Sequence, residues 1–105
     1  MNNFNIDEII YKFKNKSKKQ NPSYYYTHGG CYIFAKYLQQ QIGGNIFYLT
    51  NYNHFILEYQ NKYYDITGNV SKIYKNENMI KEEDAIKRKK IEKQILGINN
   101  YICCL

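Results

Sequence analysis

The strongest constraint on the fold of this chain is a set of apolar residues spaced for one helix face, starting directly after two glycines. Gly29 and Gly30 precede the set, and Gly43-Gly44 follows it as a helix-stop signal. The i, i+3, i+4, i+7 and i+11 positions of that face are Cys31, Phe34, Ala35, Leu38 and Ile42. The spacing predicts a helix that begins at Cys31 and turns this cysteine toward the rest of the fold.

A cysteine in the first turn of a helix has two possible roles. The backbone N–H groups and the positive end of the helix dipole favour a thiolate over a thiol, so Cys31 is a candidate nucleophile. The alternative is that Cys31 is a small buried apolar residue at a helix start. The local pattern alone leaves both interpretations open, and the residues downstream favour the first.

The composition narrows the class of protein. The 105 residues suffice for a single domain, 1–105, with one modest core. No stretch of 18 or more apolar residues is present, and the N-terminus lacks the basic and then apolar pattern of a signal peptide. Three cysteines, two of them adjacent at Cys103 and Cys104, form no disulfide framework. We therefore expect a cytoplasmic protein in a reducing compartment.

Two further groups of residues have plain interpretations. Cys103 and Cys104 cannot readily join Cys31 in a zinc site without a well-placed fourth ligand, so we expect no metal site and no cofactor. His28 is near Cys31 in sequence, but it lies on a loop flanked by glycine. We interpret it as a turn or cap residue rather than as a base.

The net charge of +6 comes partly from two basic runs. Five lysines lie between Lys12 and Lys19, at the end of a helix predicted to start at Asn5, where cations suit the dipole. The run 87–90 would spread around a helix rather than gather on one face. We expect weak nucleic-acid binding at most, with no tight sequence-selective recognition and no membrane partner. Phosphate binding by the first run is the open alternative.

Strand and helix patterns predict an α+β fold. The Asn5 helix and the Cys31 helix should pack on a small antiparallel sheet, with a C-terminal helix over Met79–Leu96. Tyr24-Tyr25-Tyr26 should be extended and should pack beside the Cys31 helix. The predicted strands are Ile46–Leu49, His54–Tyr59 and Lys62–Thr67.

The turn between the last two strands fixes a register. A two-residue turn at Gln60-Asn61 places Tyr59 opposite Lys62, so that Ile56 lies opposite Asp65. Because strand side chains alternate, His54 and Asp65 share one face as diagonal neighbours, with Cβ atoms about 7–8 Å apart. The Asp65 carboxylate can then orient the imidazole while the other ring nitrogen reaches a thiol. This is the arrangement of nucleophile, base and orienting group.

Three segments in this order resemble the papain-like/transglutaminase-like cysteine fold, as found in small phage or bacterial Cys-His-Asp proteins. They are Gly29-Gly30-Cys31, Asn53-His54-Phe55 and Tyr63-Tyr64-Asp65-Ile66-Thr67-Gly68. The resemblance implies that Cys31 is the nucleophile, His54 the general base and acid, and Asp65 the orienting residue. The chain has no counterpart of the glutamine that helps the oxyanion hole of papain-type enzymes.

The resemblance implies a small cysteine-dependent hydrolase or acyl transferase that attacks an amide or thioester of a protein or peptide substrate. One oxyanion donor would be the backbone N–H of Cys31. The alternative function is a non-enzymatic binding protein on the same fold, such as a phage-borne inhibitor of a host protein or nucleoprotein complex. The distance between Cys31 and His54, and the access of solvent to them, separate the two functions.

Overall fold

The computed structural model describes residues 5–17, 19–27 and 30–87, and these form one sheet with helices against it. The helices are α1 (Ile6–Lys16), α2 (Pro22–Tyr25), α3 (Cys31–Ile42) and α4 (Glu82–Lys87). The strands are β1 (Asn45–Leu49), β2 (His54–Tyr59), β3 (Lys62–Asp65), β4 (Gly68–Asn69) and β5 (Met79–Lys81). The strand order is β4-β3-β2-β1-β5, with every pair antiparallel. The predicted α+β class with a C-terminal helix is confirmed.

The helix that begins at Cys31 forms as its apolar spacing predicts. All five positions of the predicted face are buried, and they pack with the inward residues of β1 and β2. Gly43 ends α3 with a φ of 85°, a conformation that glycine adopts without a steric penalty. The largest core cluster therefore lies between α3 and one face of the sheet.

The first helix begins at its predicted cap and docks through one aromatic residue. The Asn5 side chain accepts a hydrogen bond from the backbone N–H of Glu8, at 3.1 Å. Phe13 is fully buried, and its ring packs edge-on to Tyr26 and Phe34, with centroids 4.8 and 5.0 Å apart. Phe13 thus joins α1 to both α2 and α3.

The hairpin between β2 and β3 has the predicted register. Gln60 and Asn61 both have positive φ, 51° and 65°, as a type I′ two-residue turn requires. Tyr59 pairs with Lys62, and two further pairs follow in the same register. The register places His54 and Asp65 on the same face of the sheet.

Two predicted elements differ in the structure. Tyr24-Tyr25-Tyr26 is not extended, because Asn21 caps a short helix, α2, whose first residue is Pro22. The segment does pack beside α3, as predicted. β3 ends at Asp65 rather than Thr67, because the Asp65 carboxylate binds the backbone of Thr67 and turns the chain.

The C-terminal helix starts later than the sequence indicates. Met79–Lys81 is strand β5, since it pairs with the free edge of β1, and the helix begins at Glu82. Its described part ends at Lys87, and the rest of the predicted helix lies outside the described residues. No described helix has the length and apolar character needed to cross a bilayer.

Candidate functional site

Cys31 is buried in the first turn of α3, with 2% of its surface exposed. Gly30 is required just before it, because a Cβ there would overlap the ring of Tyr25 and lie 3.0 Å from the ring of Tyr26. The room that the glycine leaves is thus filled by the aromatic rings of Tyr25 and Tyr26, at the end of α2. These rings fix how α3 enters the fold and where the thiol lies.

His54 and Asp65 form a buried pair, each with 4% of its surface exposed. The imidazole Nε2–H donates to Asp65 Oδ2 at 2.9 Å. The other carboxylate oxygen, Oδ1, accepts from the backbone N–H of Thr67 at 2.7 Å and also from its hydroxyl. The turn after β3 therefore fixes the carboxylate, and the carboxylate fixes the ring.

The surroundings keep both members of the pair charged. Burial acts to lower the pKa of His54, but the hydrogen bonds and charges of Asp65 and Cys31 outweigh it and raise the pKa from 6.5 to about 9. Burial acts to raise the pKa of Asp65, but bonds from His54 and Thr67 outweigh it and hold that pKa below its ordinary value. At neutral pH the pair is an imidazolium and a carboxylate.

The second ring nitrogen of His54, Nδ1, is not held by Asp65. Nδ1 is buried and has no partner in hydrogen-bond geometry within residues 5–17, 19–27 and 30–87. Cys31 still acts on the imidazole, as a hydrogen-bonding group and as a charge, and both effects raise the pKa of His54. A buried nitrogen without a well-formed bond is unusual in a folded protein.

Tyr74, which the sequence did not single out, packs against His54. The ring of Tyr74 lies 5.9 Å from the His54 ring and 5.1 Å from the ring of Tyr52, measured between centroids. Burial and the charges of Asp65, Tyr52 and Cys31 raise the pKa of Tyr74. Tyr74 belongs to the 70–78 segment, which has no periodic pattern, so its approach to the site had no signal in the sequence.

Tyr48 and Asn53 form a second contact beside the thiol. The Tyr48 hydroxyl donates to Asn53 Oδ1, and Asn53 precedes His54 directly. Burial and then the charge of Cys31 raise the pKa of Tyr48, so its hydroxyl lies within electrostatic range of the thiol. Asn53 lies in the turn before β2, with a φ of 50°.

Other predicted residues are not part of the described site. His28, Cys103 and Cys104 lie outside the described residues. Within the described ranges, no three His, Cys, Asp or Glu side chains are grouped so that they could hold a metal ion. The lysines of α1 lie on its surface, and Lys12 pairs with Glu8 at 3.0 Å.

The His54–Asp65 pair should make stability fall with rising pH. The raised pKa of His54 means that its contribution is complete below about pH 6.5 and is lost as the pH approaches about 9. The lowered pKa of Asp65 means that its contribution is present above about pH 4 and is lost below that. We expect the free energy of unfolding to fall by about 2–3 kcal/mol between pH 6.5 and 9.

Urea unfolding at pH 5 to 9 measures this fall. The variant His54→Gln should have a much flatter profile, and Cys31→Ala should have a smaller fall, since one of the charges that raise the pKa of His54 is gone. An equally steep fall in His54→Gln would assign the pH dependence to other groups.

Fold and site together define a class: a small α+β protein with a buried cysteine, histidine and aspartate beside the start of β2. The chain belongs to the phage YunG-like protein family, whose sequence model matches residues 9–102. This membership agrees with the predicted resemblance to a small phage protein. No curated protein and no solved structure matches the chain. The papain-like or transglutaminase-like fold stays a prediction.

Proposed function

We propose that the protein is a cysteine-dependent hydrolase or acyl transferase in which Cys31 attacks an amide or thioester carbonyl. His54 is the general base and acid, and Asp65 orients its ring. The proposal rests on the different surroundings of the two imidazole nitrogens: Nε2 is bound to Asp65 at 2.9 Å, whereas the buried Nδ1 has no hydrogen-bond partner among the described residues. A base that one group orients through one nitrogen, and that exchanges a proton with a nucleophile through the other, would use the ring in this way.

The reaction would proceed in two halves. At neutral pH the thiol proton already resides on His54 Nδ1, so the Cys31 thiolate adds to the carbonyl carbon and forms a tetrahedral oxyanion. When the oxyanion collapses, the bond to the leaving amine or thiolate breaks, and that group takes the proton from Nδ1. The thioester on Cys31 is then attacked by water, or by an acceptor amine or thiol, with Nδ1 removing its proton. Expulsion of the sulfur regenerates Cys31.

The charge state of the site supports this assignment. A pKa of about 9 for His54 means that an imidazolium stands beside the thiol at neutral pH, and a cation there favours the thiolate. The start of α3 adds the positive end of the helix dipole. Both effects act on the same sulfur atom.

A second function is favoured by the burial of the thiol. Only 2% of Cys31 and 4% of His54 are exposed, so the sulfur is sealed in this conformation. A non-enzymatic protein that binds a host protein would need no access to these residues, and the triad would then be internal packing and hydrogen bonding. Weak nucleic-acid binding through the lysines of α1 stays a prediction under either function.

Alkylation of the thiol tests the proposal. At pH 6, iodoacetamide should modify Cys31 about 10- to 100-fold faster than glutathione, because a thiol of ordinary pKa near 8.5 is almost fully protonated there. Removing the imidazolium in His54→Ala should bring the rate down toward that of glutathione. Mass spectrometry of the peptide that contains Cys31 reports the rate at this residue alone.

His28→Ala is the matched control, since it removes the other histidine of the chain and should leave the rate unchanged. Asp65→Ala should slow alkylation less than His54→Ala does, because it loosens the imidazole without removing it. If Cys31 reacts no faster than glutathione and His54→Ala changes nothing, the enzyme proposal is wrong and the binding function takes its place.

A further inference from the structure

We infer that the side-chain amide of Asn53, held in place by the Tyr48 hydroxyl, donates a hydrogen bond to the oxyanion formed when Cys31 attacks its substrate. The inference rests on the proposed function and deepens it, because it names a donor to the oxyanion besides the backbone N–H of Cys31. Asn53 would be a catalytic residue, and Tyr48 would position it.

The hydrogen bond between the two side chains decides which end of the amide is available. The Tyr48 hydroxyl donates to Asn53 Oδ1, so the oxygen is occupied and the NH₂ group points away from Tyr48. Among the described residues, nothing accepts a hydrogen bond from this NH₂ group. An amide NH₂ with its oxygen already bound is a fixed donor, as an oxyanion site requires.

The backbone holds this donor next to the base. Asn53 has a φ of 50°, in the left-handed region that asparagine tolerates better than most residues, and it is joined directly to His54. The β1–β2 pairing fixes the turn from both sides, because Leu49 pairs with His54 and Tyr48 with Phe55. The amide therefore has little freedom to move relative to the imidazole.

The position of Tyr48 connects the amide to the nucleophile. The Tyr48 ring is buried and packs on Phe55 with centroids 4.8 Å apart, and its face of the sheet is the one that α3 covers. Its hydroxyl, within electrostatic range of Cys31, is also the partner of Asn53. Asn53 itself is exposed, so its NH₂ group is open to the carbonyl of a substrate that reaches the thiol.

Two reactions of the same thiol separate this role from a structural one. Acylation by p-nitrophenyl acetate passes through an oxyanion, whereas alkylation by iodoacetamide is a direct displacement at carbon and forms none. We expect Asn53→Gly to slow acylation of Cys31 at least 10-fold and to leave alkylation unchanged. Glycine accepts the positive φ, so this variant removes the amide without straining the turn.

Further variants sharpen the assignment. Asn53→Asp, which replaces the NH₂ group by a charged oxygen, should slow acylation at least as much. Tyr48→Phe should slow acylation by a smaller factor, because the amide is present but no longer held. Asn76→Gly is the matched control: Asn76 is an exposed asparagine with a φ of 68°, and its removal should change neither rate.

The outcomes distinguish this inference from the function on which it rests. If Cys31 reacts rapidly with both reagents and Asn53→Gly slows acylation only, the inference holds. If both reactions are rapid and Asn53→Gly leaves their ratio unchanged, Asn53 is not the donor, although the proposed function stands. If Cys31 is unreactive toward both reagents in the unaltered protein, the proposed function is wrong, and the inference about Asn53 is wrong as well.

Discussion

Replacing Asp65 by alanine is expected to lower the free energy of unfolding by about 3–5 kcal/mol at pH 6. The carboxylate is buried and accepts hydrogen bonds from His54 and from both the backbone and the hydroxyl of Thr67. Its removal leaves a buried imidazole with neither ring nitrogen properly bound, together with an unsatisfied turn after β3. Urea unfolding followed by circular dichroism measures the loss.

Two variants control for the size of this effect. Asp65→Asn keeps an acceptor for Thr67 but loses the charge that holds the imidazolium, so it should cost less than alanine. Asp7→Ala removes an exposed aspartate from the first turn of α1, where the helix dipole favours it, and should cost no more than about 1 kcal/mol. A loss below about 1 kcal/mol for Asp65→Ala would mean that the pair contributes little to folding.

Replacing Phe13 by alanine is expected to cost a similar amount, about 3–5 kcal/mol. The ring is fully buried and contacts the rings of Tyr26, Phe34 and Tyr37, so its loss leaves a cavity bounded by three rigid side chains. Such a cavity collapses poorly, which places the cost in the upper part of the range for a large-to-small change. Thermal and urea unfolding both report it.

The same helix provides the control for Phe13. Tyr11 is 65% exposed, and Tyr11→Ala should change the free energy of unfolding by no more than about 0.5 kcal/mol. Phe13→Leu keeps much of the buried volume and should cost less than alanine. If Phe13→Ala were as mild as Tyr11→Ala, α1 would not be part of the cooperative unit that includes α3.

The parts of the site that follow from local chemistry could be predicted from the sequence. Helical spacing placed Cys31 in a first turn, and strand alternation with the Gln60-Asn61 turn placed His54 and Asp65 on one face. These rules need only near neighbours in the chain. The Asp65 side chain also binds the backbone N–H two residues on. Aspartate commonly forms such a turn, so the end of β3 at Asp65 is likewise a local property of the sequence.

The parts that depend on tertiary packing could not be predicted. Met79–Lys81 has a pattern compatible with a helix, but it forms a strand that pairs with the free edge of β1. This pairing satisfies backbone N–H and C=O groups that the first turn of a helix would leave without partners. Tyr74 reaches the His54 ring from a segment of consecutive turns without any period. Tyr48 was predicted only as a strand residue, and its contact with Asn53 depends on how the loop after β1 returns.

The His54–Asp65 pair closes within a single hairpin, whereas the thiol comes from a helix that precedes the whole sheet. Loops of about ten residues close in 10–100 ns and hairpins form in microseconds, so the imidazole and the carboxylate can meet while the rest of the chain is still disordered. Docking of α3 on the sheet joins residues that are farther apart in the chain, so its loop-closure entropy cost is larger than that of the hairpin. The contact between His54 and Asp65 therefore needs only the hairpin. The reactivity of Cys31, and its share in raising the pKa of His54, need the finished tertiary structure.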